Sequence, residues 1–179
     1  MTPEELLKQA TAYWESATLL AGIELGVFNE LVDGPAEAPR IATHCGTSLP
    51  HTVALCDALC GQGLLLKDGD LYSLPQTLKP LLDPESADSM VDALRFNRLL
   101  YGLWGNLGNS IRIGEPALPN QQHLGSDPAT LASFVKGMHS RAVLLAETLA
   151  DIIELGGVTH LLDVAGGPGT ISLKLLEHN

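Results

Sequence analysis

Apolar residues recur at intervals of three and four along most of this chain, the spacing of one face of a helix. Thr2, Pro3 and Glu5 form a helix start, with a capping residue, a proline in the first turn and the glutamate of a capping box. The next apolar positions predict one buried helix face: Leu6, Leu7, Ala10, Trp14, Ala17 and Ala21. A second, short helix is predicted over 27–32, before the turn residues of 33–35.

Two further helices and a hairpin are predicted after this turn. The helices cover 39–45 and about 50–60, the second with Ser48 as its cap. Two apolar runs within 64–74 flank Asp68-Gly69, a dipeptide favoured in hairpins. A helix pair followed by a hairpin is the element order of a winged helix.

Longer helical patterns follow. One is predicted from about 87 to 113, and 114–125 reads as a loop. Another is predicted from Asp127, as its cap, to about Leu155. The pattern then changes: 159–164 predicts a strand, 165–169 a glycine-rich turn, and 170–177 a helix. Strand, glycine turn and helix form the first unit of many nucleotide-binding α/β sheets.

Composition fits a folded chain with an acidic surface. The 179 residues are 45% hydrophobic, and 10 Lys and Arg stand against 21 Asp and Glu, for a net charge of −11. Nucleic acid and anionic membranes need a cationic face, so we expect neither as a partner. The helix at 50–60, which a DNA-reading winged helix would place in the major groove, contains His51 and Asp57 but no Lys or Arg.

The termini, the apolar runs and the cysteines bear on location and metal binding. The N-terminus has neither the basic nor the apolar region of a signal peptide, and the sequence contains no apolar run long enough to span a bilayer. Three cysteines without a CxxC pair suggest free thiols in a reducing cytoplasm. A metal site at His44, Cys45, His51, Cys56 and Cys60 is a weaker hypothesis than core packing, because the spacings differ from those of zinc sites. We expect no metal.

The glycine turn carries the clearest chemical signal. A helix that starts at small residues lets backbone N–H groups approach a ligand closely. One interpretation is a dinucleotide loop, but Gly167-x-Gly169-x-x-Ser172 has serine where the third glycine is expected. The other starts from Asp163, an acidic residue followed by Ala165-Gly166-Gly167-x-Gly169. A tight turn without a ligand is the plain alternative to both.

The second pattern resembles motif I of class I S-adenosylmethionine (SAM)-dependent methyltransferases. The resemblance implies that the loop binds SAM, with Asp163 helping to hold its amino end. The implied cofactor-binding residues are Asp163, Ala165, Gly166, Gly167 and Gly169. A cationic cofactor without pyrophosphate makes a carboxylate beside the loop useful.

Other segments resemble, in order, the caffeate- and acetylserotonin-type O-methyltransferases and their bacterial polyketide and carotenoid relatives. These segments are Tyr13-Trp14-x-Ser16-Ala17-x-Leu19-Leu20-Ala21, Glu24-Leu25-Gly26-Val27-Phe28, Leu55-x-x-x-Leu59-x-x-x-Gly63-Leu64-Leu65, Tyr101-x-x-Trp104-x-x-Leu107, Gly114-x-Pro116 and Phe134-x-x-x-Met138. The implied fold is mainly α: a winged-helix dimerisation domain over 1–85, a helical connector over 86–157 that lines the acceptor pocket, and the truncated start of a Rossmann-like SAM domain over 158–179.

The same resemblance implies a function. The chain is expected to be the N-terminal portion of a homodimeric enzyme that methylates a hydroxyl of a small aromatic or polyketide-like acceptor. Phe134, Met138 and His139 are expected on the acceptor side. The general base is expected beyond Asn179, so this chain alone is expected to be inactive.

Several alternatives remain open. Ala165 stands where the family has glycine, and its methyl group disfavours a positive φ there. Arg141 is interpreted either as a ligand of a cofactor carboxylate or as a surface residue. The chain as a whole is alternatively a non-catalytic dimerisation module or, less favoured, a winged-helix transcriptional regulator.

Overall fold

The computed structural model describes residues 1–116 and 128–178. The chain divides into two compact units, Met1–Val91 and Asp92–Asn179. The described residues form a mainly helical structure with one small three-stranded sheet. This outcome confirms the predicted mainly α class.

The first unit contains six helices and the sheet. The helices are α1 (Pro3–Thr11), α2 (Tyr13–Leu25), α3 (Val27–Leu31), α4 (Ala38–Cys45), α5 (Leu49–Gly61) and α6 (Lys79–Leu82). The strands are β1 (Ala36–Glu37), β2 (Leu66–Asp68) and β3 (Leu71–Ser73).

The start of α1 forms as predicted. The Glu5 backbone N–H donates to Thr2 Oγ1 at 3.1 Å, and the Thr2 N–H donates to Glu5 Oε2 at 2.7 Å, which completes the capping box. The predicted buried face is wrong for this helix. Every residue of α1 lies within the described part of the chain and none is buried. An apolar stripe identifies a face suited to packing, but burial also requires a surface to pack against.

The core of the first unit lies between α2, α3, α4 and α5. Phe28, Ile41 and Leu59 are each 0% exposed. A Cβ added at Gly22 would lie only 2.8 Å from Cε2 of the Phe28 ring, so the glycine allows α2 to approach α3 closely. Gly26, at a φ of 79°, ends α2 in the left-handed conformation that glycine adopts without strain.

The hairpin forms as predicted, and a third strand joins it. β3 pairs antiparallel with both β1 and β2, in the order β1-β3-β2. β1 was not predicted, since two residues are too short to show an alternating pattern. Ser48 precedes α5 as expected, but its hydroxyl contacts Nδ1 of His51 at 2.6 Å instead of capping the helix backbone.

Asp57 joins α5 to the hairpin. Its Oδ1 accepts from Lys67 Nζ at 2.7 Å and from the Tyr72 hydroxyl at 2.8 Å. These two bonds, the one from Lys67 first, hold the pKa of the Asp57 carboxyl below its usual value. Asp57 therefore has a structural role on the helix that lacks Lys and Arg.

The second unit contains α7 (Val91–Gly105), α8 (Leu107–Ile113), α9 (Pro128–Ile152) and α10 (Thr170–Glu177). The single helix predicted over 87–113 is thus two helices, which meet at Asn106. The predicted Asp127 cap lies outside the described residues.

Helices α7 and α9 approach each other closely at two places. The rings of Phe96 and Phe134 meet edge to face, with centroids 5.3 Å apart. A Cβ added at Gly137 would lie 3.0 Å from Cβ of Phe96. Phe134 and Gly137 therefore pack α9, the helix that precedes the glycine turn, against Phe96 of α7.

The strand predicted over 159–164 is wrong for the described chain. No strand is assigned there within the described residues, and Leu162 and Val164 are 87% and 80% exposed. A strand is defined by hydrogen bonds to a neighbouring strand, and the described residues place none beside this segment. The apolar pattern alone could not supply that neighbour.

Candidate cofactor-binding site

The glycine turn forms a compact loop at the start of α10. Ala165, Gly167 and Gly169 have φ values of 61°, 57° and 73°, all in the left-handed region. The Gly169 N–H donates to the Gly166 carbonyl at 2.9 Å and closes the turn. Glycine adopts these angles freely, whereas a left-handed alanine is strained. Ala165 is therefore the strained position of the loop, because its methyl group disfavours the positive φ that it adopts.

The carboxylate of Asp163 lies directly against this loop. Oδ2 of Asp163 accepts a hydrogen bond from the Ser172 hydroxyl on α10. A Cβ added at Gly166 would overlap the Asp163 carboxylate, so a larger residue there would force the carboxylate to move. The sequence pattern revealed neither the steric reason for glycine at 166 nor the hydrogen bond that Ser172 donates.

A cavity of about 400 Å³ opens beside the loop. Four of the five predicted cofactor residues line it: Asp163, Ala165, Gly166 and Gly167. The fifth, Gly169, precedes the first residue of α10 and sets the direction of the helix. Nearly the whole predicted set is therefore assembled around one space.

The three predicted acceptor-side residues are in different places. Met138 lines the same cavity as the loop. Phe134 packs against Phe96 of α7. His139 contacts Oγ1 of the buried Thr170 through its Nδ1, at 2.7 Å. Only Met138 faces the cavity, while the other two connect α9 to its neighbouring helices.

Arg141 is occupied away from the cavity. Its guanidinium donates to Oδ1 of Asn97 and lies over the Phe96 ring, 5.6 Å from the centroid. Of the two interpretations of Arg141, these contacts and the exposure of the residue favour the surface residue.

Sequence reasoning missed several residues at this site, including three on α9 and α10. Ala142 and Thr170 line the cavity, and Ser172 both lines it and binds Asp163. Ser172 was noted only as a serine in place of a third glycine. A hydroxyl in the first turn of a helix, nine residues after an acidic residue, was the available signal.

Cys56 is buried, as core packing predicts, whereas Cys45 and Cys60 are half-buried. All three thiols are free, and burial raises the pKa of Cys56 to about 11, so its reactive thiolate form is scarce. Over residues 1–116 and 128–178, no group of three His, Cys, Asp or Glu side chains is arranged to hold a metal ion. The same residues include no helix long and apolar enough to cross a membrane.

Comparison with solved structures identifies the fold. The structure superposes on that of human N-acetylserotonin methyltransferase in complex with SAM, with a TM-score of 0.83 and 22% identity, over 97% of this chain and 55% of the other. This likeness shows that the chain has the fold of the N-terminal half of that structure.

Sequence comparison then identifies one domain and several similar enzymes. Residues 7–78 match the O-methyltransferase dimerisation domain. The chain is 29% identical over 184 residues to 3-hydroxy-5-methyl-1-naphthoate 3-O-methyltransferase of Streptomyces sahachiroi, covering 99% of this chain and 52% of that protein. It is 25% identical over 178 residues to the N,N-dimethyltransferase OxyT of Streptomyces rimosus, covering 95% and 52%.

Residues 7–78 therefore form an O-methyltransferase dimerisation domain, and the chain as a whole is similar to these methyltransferases. It spans about half the length of the curated relatives that it matches.

Proposed function

We propose that this chain is the N-terminal portion of a SAM-dependent O-methyltransferase, supplying a dimerisation domain and the part of the cofactor site that lies against the methionine and ribose portions of SAM. The observation that carries the proposal is the Asp163 carboxylate held against a glycine loop at the start of α10. This loop occurs in a chain whose residues 7–78 match the dimerisation domain.

The chemistry of the loop fits that cofactor. SAM carries an ammonium group and a cationic sulfur but no phosphate, so a carboxylate at the site attracts it. A pyrophosphate would be repelled by the same carboxylate. We assign Asp163 to the amino end, and the backbone of Ala165, Gly166, Gly167 and Gly169 to close packing along the cofactor.

Methyl transfer requires the acceptor oxygen to lie in line with the methyl group and the departing sulfur. Bound SAM supplies the electrophilic methyl. We propose that Met138 borders the acceptor, because it lines the cavity of the loop, and that Phe134 and His139 act on that side by fixing α9. The acceptor class is a hydroxyl on a small aromatic or polyketide-like molecule, and the general base is expected from another part of the enzyme.

We further propose that the enzyme is a homodimer formed through residues 1–85, which we assign as a winged-helix dimerisation domain. Leu6, Leu7, Tyr13 and Trp14 are exposed apolar side chains on α1 and α2. Exposed apolar side chains that cluster on a surface are typical of subunit interfaces. A cytoplasmic location agrees with the three free thiols.

The remaining boundaries are also part of the proposal. We assign 86–157 as the helical connector and 158–179 as the start of the SAM domain. The apolar side chains exposed at Leu162 and Val164 support a packing partner for this segment, such as further strands of a sheet.

The test combines three measurements on the 179-residue chain. Titration with SAM, followed by amide NMR, should shift resonances of 163–172, and light scattering should give twice the monomer mass. A radiolabelled methyl-transfer assay with naphthol-type acceptors should show no turnover. SAM that leaves the loop resonances unmoved would refute the cofactor site, and turnover by this chain would refute the assignment of the base to another part of the enzyme.

One alternative has its own support. The buried core of Phe28, Ile41 and Leu59 lies wholly within the first unit, as a self-sufficient dimerisation module requires. A dimer that leaves SAM unbound would favour that module.

A second possibility is an amine acceptor, which the similarity to the N,N-dimethyltransferase OxyT supports. Parallel assays with arylamines and naphthols, on a longer enzyme that contains this chain, would distinguish the two acceptor classes.

A further inference from the structure

The position of the Asp163 carboxylate depends on a contact from outside its own segment. Asp163 follows Leu162 and precedes Val164, which are 87% and 80% exposed. No strand is assigned to 159–164 within the described residues. Packing and strand hydrogen bonds therefore do little to fix the rotamer of Asp163.

Helix α10 is the fixed element nearby. Its first residue, Thr170, is 7% exposed and contacts Nδ1 of His139 at 2.7 Å, and Leu175 is also 7% exposed. Ser172 lies between these two anchors on the same helix, and its hydroxyl donates to Asp163 Oδ2. A hydroxyl on a fixed helix can hold a carboxylate that its own backbone leaves free to rotate.

Gly166 also bears on the position of the carboxylate. A Cβ at that position would overlap the Asp163 carboxylate, so the glycine leaves the space that the carboxylate occupies. Asp163 and Ser172 both line the cavity. The carboxylate is thus held at the edge of the space proposed for the cofactor, with one oxygen bound to Ser172.

We propose that Ser172 is a positioning residue that holds the Asp163 carboxylate toward the amino end of the bound cofactor. This inference rests on the proposed function. Ser172 acts through Asp163, so its effect is confined to ligands that carry the amino-acid portion.

The test compares two ligands on the 179-residue chain by NMR titration. S-adenosylhomocysteine carries the amino-acid end, whereas 5′-methylthioadenosine has the same nucleoside without it. We expect Ser172→Ala to weaken S-adenosylhomocysteine binding about tenfold, the upper range for one hydrogen bond, and to leave methylthioadenosine binding unchanged. Ser172→Thr, which keeps the hydroxyl, should restore most of the affinity.

Ser140→Ala is the matched control, because the Ser140 hydroxyl donates to the Lys136 carbonyl of its own helix. It should change neither affinity. An equal loss for both ligands in Ser172→Ala would reveal a merely structural role and overturn the inference, as would no loss for either. If the wild-type chain binds neither ligand, the proposed cofactor site itself fails; if wild-type and variant bind both alike, only the inference fails.

Discussion

The first unit and the glycine loop of the second are stabilised in different ways. In the first unit, Phe28, Ile41 and Leu59 are completely buried by neighbouring helices. Around the loop, Leu162 and Val164 are largely exposed, and the shape depends on a few hydrogen bonds and on backbone angles that favour glycine. The dimerisation domain thus depends on a packed core, whereas the candidate site depends on local geometry.

This difference determines what a substitution should do. Loss of core volume lowers the free energy of unfolding, because the cavity and the lost burial both cost energy. Loss of loop geometry should affect ligand binding while leaving the core intact. The four predictions below follow this division, from the largest effect to the smallest.

The largest effect is expected from a matched pair of leucines. Leu59→Ala should lower the free energy of unfolding by about 2–5 kcal/mol, the range for a buried leucine. Leu162→Ala, at an 87% exposed position, should change it by less than about 0.5 kcal/mol. Urea denaturation of both variants measures the difference, and equal losses would contradict the division between the two regions.

Gly166→Ala should act on binding. Its Cβ overlaps the Asp163 carboxylate, so the carboxylate must move away from the loop. We expect SAM affinity to fall by more than about tenfold, corresponding to roughly 1.4 kcal/mol, with little change in the urea midpoint. Gly156→Ala, where an added Cβ meets nothing within 4 Å, is the control and should retain affinity.

Ala165→Gly should stabilise the loop. A left-handed alanine costs about 1–2 kcal/mol, part of which is offset by the greater chain entropy of glycine. We therefore expect a net gain of about 0.5–1 kcal/mol, visible as slower amide exchange in 165–169. The control is Ala132→Gly, at an exposed position inside α9, which should lower the free energy of unfolding by about 1 kcal/mol. A loss of stability in Ala165→Gly would show that Ala165 is not strained.

The smallest effect is expected at Asp57, whose pKa is lowered chiefly by the hydrogen bond from Lys67 and then by that from Tyr72. A lowered pKa in the folded state gives stability that is present above the unfolded pKa and is lost as pH falls through the folded value. Asp57→Asn should therefore lower the melting temperature slightly at neutral pH and remove part of its decline in acid.

Melting curves between pH 2 and 7 test this prediction, with Asp70→Asn in the hairpin turn as the control. An unchanged acid profile in Asp57→Asn would show that the contacts of α5 with the hairpin contribute no pH-dependent stability. The effect would be confined to the first unit, and SAM affinity should stay constant in this variant.

The sequence predicted most of the first unit because its signals are local. The capping box at Thr2 and Glu5, the turn residues of 33–35 and the hairpin residues all act within a few positions. Burial was less predictable: α1 has an apolar stripe, but a stripe carries no information on its partner surface. β1 was missed because a two-residue strand has no periodicity.

The candidate site was predicted in composition but not in detail. Spacing placed Asp163 and the glycines together, and four of those residues do line one cavity. The contact of Ser172 with Asp163 joins residues on two elements, and the reason for glycine at 166 is steric. Both depend on three-dimensional proximity, which a pattern does not encode. The strand at 159–164 failed for the same reason, since its hydrogen bonds require a neighbour.

The central claim is that Asp163 holds the amino end of SAM beside the glycine loop. The direct measurement is the SAM dissociation constant of the wild-type chain and of Asp163→Asn, which removes the charge but can still accept from Ser172. We predict at least a tenfold weakening for SAM, with no change for methylthioadenosine and no change in melting temperature. Equal SAM affinity in the two proteins would contradict the account.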